Sequence, residues 1–98
     1  MTHIYQLTNE AVLELENIYT YSIKNFGQKQ AQKYLIDLHD AFELLANNSK
    51  LGRDFSHIKD GYRKHEHQQH SIYYKLTHRG ILILRILGEK QDQLAHLK

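Results

Sequence analysis

The stretch GYRKHEHQQHSIYYKLTHRGILILRIL, residues 61–87, decides the fold. Its polarity alternates with a period of two, the mark of strands whose two faces meet different surroundings. The interruptions near His67-Gln68-Gln69 and His78-Arg79-Gly80 are long enough only for hairpin connections. Three strands are therefore predicted, Gly61 to His67, Ser71 to Thr77 and Ile81 to Leu87, in an antiparallel meander. The last is apolar on both faces apart from Arg85, which predicts a central strand covered on each side.

Upstream of this stretch the period changes. Ala11, Leu15, Ile18 and Ser22 form one line at helical spacing, with Val12, Tyr19, Ile23 and Phe26 beside it. Thr8 or Asn9 offers the N-cap, acids at Glu10 and Glu14 suit the positive end of a helix, and Gly27 is the natural stop. A second helix is predicted from Gln28 to Asn47, where Ala31, Tyr34, Leu35, Leu38, Ala41, Phe42 and Leu45 recur at three and four. The polar run Asn47-Asn48-Ser49-Lys50-Leu51-Gly52 reads as a turn, His3 to Leu7 as a short strand, and Lys90 to Leu97 as one or two helical turns. Two helices joined by one glycine cannot close a core by themselves, so the strands must supply the second layer. The expected architecture is α+β: an N-terminal strand, an antiparallel helical hairpin and a three-stranded antiparallel meander, with both helices on one sheet face. The other face is expected to stay open and basic.

With 98 residues, 41% of them hydrophobic, the chain reads as a single domain over 1–98. The absence of cysteine excludes a disulfide framework and a thiol nucleophile, and no apolar run approaches the roughly 20 residues that cross a bilayer. A cytoplasmic protein without membrane contact is expected. Charge is uneven: residues 1–49 hold three lysines against six acids, and residues 50–98 hold ten Lys and Arg against five. The basic half also carries six of the eight histidines, which points to an anionic partner.

Taken in order, Ala11, Leu15, Ile18-Tyr19, Tyr21, Phe26-Gly27, Ala31, Tyr34, Leu51-Gly52-Arg53, Gly61-Tyr62-Arg63, His70-Ser71-Ile72-Tyr73-Tyr74 and Arg85-Ile86-Leu87 resemble the ParE group of the RelE/ParE toxins. The resemblance runs nearly end to end. It implies the toxin of a type II toxin–antitoxin system, neutralised by direct binding of a cognate ParD-like antitoxin. It also implies a choice of target, since ParE members poison DNA gyrase, here through its A subunit, whereas RelE members cut mRNA on the ribosome.

The residues bear on that choice. Cutting RNA beside its own 2′-hydroxyl needs a base, an acid and cations around the crowded phosphate. Arg63, His70, Arg85 and His96 could nominally fill those roles. The RelE pattern, however, has arginine where His70 stands, so gyrase inhibition without chemistry is the leading expectation. The candidate contacts to antitoxin or target are then Arg53, Lys59, Arg63, His65, Tyr73 and Arg85. Arg85 is the most informative, because a cation inside an apolar strand needs either an acid from a helix or an open groove where it meets a ligand.

The spacing His65-x-His67-x2-His70 invites a metal reading, but no carboxylate or cysteine completes a ligand set, so no metal and no cofactor is assigned. Tyr19, Tyr21 and Tyr34 read as packing residues, and Tyr62 and Tyr73 as free to face outward. A net charge of +2 supplies little counterion release, and direct nucleic-acid binding is not expected.

Overall fold

The computed structural model describes residues 3–91 and 93–97. Their elements run β1 (Ile4–Leu7), α1 (Asn9–Phe26), α2 (Gln28–Asn47), β2 (Arg53–Asp54), β3 (Arg63–His67), β4 (His70–Thr77), β5 (Gly80–Gly88) and α3 (Gln93–Leu97). Thr8 is the cap of α1. Its hydroxyl oxygen accepts from the Ala11 amide at 3.1 Å and donates to the Leu84 carbonyl at 2.8 Å, so one side chain both starts the helix and ties it to the sheet. Gly27 alone joins the two helices. Its N–H donates to Ile23 and its carbonyl accepts from Ala31, each at 3.0 Å. The conformation that permits this, φ 88° and ψ 164°, is one that a Cβ makes costly.

The expected meander is present as β3, β4 and β5, but the sheet has five strands in the order β1-β5-β4-β3-β2. β1 runs parallel to β5, a pairing that the two helices and three strands between them leave chain enough to make. β2 falls just beyond a stretch read as turn. It pairs two residues with β3, Arg53 with Lys64 and Asp54 with Arg63, too few for any alternation to show.

Between β4 and β5 the register slips. Tyr73 faces Arg85 and Tyr74 faces Ile83, which leaves Leu84 without a partner on β4. Because of this bulge Ile83 and Ile86, three residues apart, both reach the helical face. There Ala11, Leu38, Phe42 and Leu45 of α1 and α2 pack against Ile72, Tyr74, Ile81, Ile83 and Ile86. Both helices therefore cover one face, as the hydrophobic pattern required.

The opposite face is not open throughout, contrary to expectation. Phe55, from the loop after β2, and Leu97 of α3 close over Tyr73 and Leu87, with Tyr62 at the margin. Tyr73 is only 1% exposed, so the reading of it as an outward-facing contact residue is corrected. The cause is elementary: Tyr73 and Leu87 put a large apolar surface on that side, and the chain supplies a second small core to keep it from water.

Candidate functional site, a groove beside the helical hairpin

A groove of about 780 Å³ runs between the helical hairpin and one end of the sheet. One wall comes from the second half of α1, with Asn17, Ile18, Tyr21, Ser22 and Phe26, and from Gln30 and Tyr34 of α2. The other comes from Gln68, Gln69 and His70 at the β3–β4 turn, Ile86 and Gly88 of β5, and Glu89, Lys90 and Gln91 beyond it. Tyr21 and Phe26, at 63% and 64% exposure, meet edge to face with ring centres 6.5 Å apart. Rigid aromatic rails of this kind, interspersed with side-chain amides, suit a protein segment laid into the groove. The assignment of Tyr21 as a packing residue is corrected by its exposure.

Behind the groove lies the ion pair that explains Arg85. Glu14 of α1 accepts from Arg85 Nε at 2.9 Å and from Nη2 at 2.6 Å through one carboxylate oxygen. Its other oxygen accepts from the Ile86 amide at 2.8 Å. Arg85 Nη1 donates in turn to the carbonyl of His96 at 2.6 Å. Beyond Leu7 the first strand has left the sheet, and Thr8 and Glu14 occupy the β5 edge in its place. The Glu14 hydrogen bonds raise the Arg85 pKa above its ordinary value. Of the two readings of this arginine, the acid from a helix is the one realised.

The other expected site residues are dispersed. Arg63 donates through Nε to the carbonyl of Gly52 at 2.9 Å and through Nη2 to that of Lys50 at 3.1 Å, holding the loop after α2. Lys59 donates to the Leu97 carbonyl at 3.1 Å and so pins α3. Arg53 is at the surface, 3.6 Å from Glu66, in an exposed pair that contributes little. His65 is half-buried, and burial, followed by the charge of His67, holds its pKa below the ordinary value. His96 is exposed, and the bond recorded for it uses its backbone carbonyl. Arg63, His70 and Arg85 share no hydrogen-bond partner among the described residues.

His70 alone of the expected residues lines the groove. Its Nδ1 lies 2.6 Å from the Tyr34 hydroxyl. Burial, then the neighbouring carboxylate of Asp37, pushes the Tyr34 pKa up to about 12, so the phenol keeps its proton. Burial, then His67, holds the His70 pKa down. Among the described residues no group of three or more potential ligands is placed to hold a metal ion, and no helix is long and apolar enough to cross a membrane.

Residues 5–93 match the family described as ParE toxin of type II toxin-antitoxin system, parDE. The chain belongs to the ParE toxin family. Toxin ParE1 of Mycobacterium tuberculosis is 32% identical over 93 residues, covering 94% of this chain and 95% of that protein. Toxin ParE1 of Caulobacter vibrioides is 30% identical over 93 residues, covering 95% and 96%. A solved structure described as the chromosomal ParDE TA system from P. aeruginosa superposes with a TM-score of 0.73 over 89% of this chain and 96% of the other, at 24% identity, a likeness of fold. The chain is thus a ParE-family toxin of a ParDE system, and the resemblance read from its residues extends over the whole ParE fold.

Sequence reasoning missed most of the groove of this ParE chain. The available signal was the position of Tyr21 and Phe26 at the end of α1, just before Gly27. Their helical spacing could not say that the apolar stripe ran past the edge of the sheet, which is a fact about where the helix ends relative to the strands.

Proposed function

We propose that this chain inhibits DNA gyrase by direct binding, without chemistry of its own, and that its cognate ParD antitoxin neutralises it by laying an apolar segment along the groove. The observation that carries the reading is the employment of the cations a nuclease would need. Arg63 holds two loop carbonyls, and Arg85 holds Glu14 and the His96 carbonyl. A guanidinium committed to neutral carbonyls or a carboxylate is not preorganised around a phosphate whose charge is building. The groove, by contrast, presents exposed aromatic side chains that stay costly to solvate until a partner covers them.

Supercoiling of relaxed DNA by purified gyrase, with and without this protein, tests the proposal beside a ribosome-loaded mRNA cleavage assay on the same preparation. Inhibited supercoiling with intact mRNA is the expected result. Cut mRNA with unimpaired gyrase would overturn it and move the protein to ribonuclease chemistry.

A further inference from the structure

His67 and His70 stand directly opposite each other where β3 turns into β4. Both rings pack against Tyr34 of α2, with centres 5.9 and 5.6 Å from the phenol ring. The turn between them holds Gln68 at φ 52°, a left-handed conformation that a non-glycine residue adopts only when its surroundings impose it. Part of that restraint is the Gln69 carbonyl, which accepts from the Glu89 amide at 2.9 Å. On the α2 side the direct polar tie is Tyr34 to His70, and His67 Nε2 is buried without a hydrogen-bond partner.

We propose that the facing imidazoles of His67 and His70, together with the Tyr34 hydroxyl, form a proton-operated latch that holds the β3–β4 turn against α2 and so sets the shape of the groove. That the latch governs partner docking rests on the reading of the groove given above. With His70 neutral and its proton on Nε2, the Tyr34 hydroxyl donates to Nδ1. A second proton on the ring makes both nitrogens donors, and the phenol must then turn round to accept. Its own proton then loses the Nδ1 acceptor at a part-buried position on the groove wall. Positive charge on the facing His67 ring also repels an imidazolium at His70.

The surrounding charges do not compensate fully. Glu89, beyond β5, favours the charged form of His70, as Glu66 does for His65. Asp37 of α2 acts on Tyr34, Lys90 adds a positive charge at the groove rim, and Glu14 of α1 is committed to Arg85. For His70, burial and His67 outweigh Glu89. The neutral latch is therefore the closed one, and acid opens it.

The test is a ring-proton NMR titration of the histidines in the free protein, with hydrogen exchange of the amides at residues 67–70 followed over the same pH range. As the pH falls below 6.5, the ordinary histidine value, protection of these amides, corrected for the intrinsic exchange rate, should drop in step with the His70 ring. The loss expected is roughly tenfold, the upper figure for one net hydrogen bond. His67→Gln should raise the His70 midpoint by removing the repelling cation, and Tyr34→Phe should exchange at the acid rate already near neutrality. Turn protection that ignores the His70 titration, or an unmoved midpoint in His67→Gln, would overturn the latch, and the wild-type titration decides even if a variant fails to fold. The measurement needs no partner. Failure of the latch thus leaves the docking assignment standing, and failure of docking leaves the latch.

Discussion

Removing the Glu14 carboxylate should cost this domain a large part of its stability. Glu14→Ala takes away three hydrogen bonds at once, two from Arg85 and one from the Ile86 amide. It leaves a guanidinium whose side chain is 22% exposed, beside a vacated position that was 17% exposed. Breaking a buried pair by deleting one partner costs about 3–5 kcal/mol, and the residual exposure places this case at the lower end, about 3 kcal/mol. Against a total of roughly 5–15 kcal/mol that is a severe loss, corresponding to a fall in Tm of roughly 12–24 °C for a chain of this length. Glu14→Gln keeps one acceptor oxygen and should cost about half as much. The combined Glu14→Leu, Arg85→Met variant should recover most of the loss, because paired apolar groups leave no unpaired charge. Urea unfolding followed by circular dichroism of these variants, with Glu14→Leu and Arg85→Met singly added to close a double-mutant cycle with the wild type and the combined variant, gives the coupling directly. A cost for Glu14→Ala within about 0.5 kcal/mol of zero, the range of an ordinary surface substitution, would refute the argument. Arg85 would then return to the cations available to a ligand.

Other consequences follow from single features. Gly52→Ala would put a Cβ 2.5 Å from the Tyr74 hydroxyl, which donates to the Ser49 carbonyl and accepts from the Gly52 amide; a destabilisation of about 1–3 kcal/mol by urea titration is expected. Tyr21→Ser and Phe26→Ser, at exposed rails, should leave the unfolding midpoint nearly unchanged yet weaken ParD binding by roughly tenfold or more each in calorimetry. Unweakened binding would move the docking site elsewhere. His65 and His70 have folded pKa values below 6.5, so the unfolded chain takes up protons first. Their contribution is complete above pH 6.5 and is lost as pH falls through that value toward the folded ones; urea midpoints should be flat above neutrality and decline below it. Arg53→Ala should slow association with an acidic partner at low salt while changing stability by less than about 0.5 kcal/mol.

How much of this was legible beforehand can be judged residue by residue. The helical hairpin, with Gly27 between two stripes of period 3.6, was readable because a cap, a stop and a periodicity all lie within one segment. Arg85 was readable as a problem, a cation in an apolar strand, but the identity of its partner was not. Glu14 lies 71 residues away and carries the ordinary signature of an acid in the first turns of a helix. Tyr73 was misjudged because period two on β4 assigns faces only relative to one another. Whether the second face is wet depends on Phe55 and Leu97, which arrive from a loop and from α3. The bulge at Leu84, which turns Ile86 to the helical face, likewise has no local signature in a run of apolar residues.

The chain by itself determined the order and kind of its main elements, the two helices and the three-stranded meander, because these follow from spacing, caps and turns that act between near neighbours. Its ParE character was also written in the order of residues along nearly the whole length. Only the tertiary structure decided which polar groups are spent and which are available: Arg63 on loop carbonyls, Arg85 on Glu14, His70 on Tyr34, and Tyr21 and Phe26 left at the surface. The physical reason is that a hydrogen bond or a buried contact depends on separation in space. A sheet with a parallel edge strand brings together residues whose separation along the chain carries no trace of it.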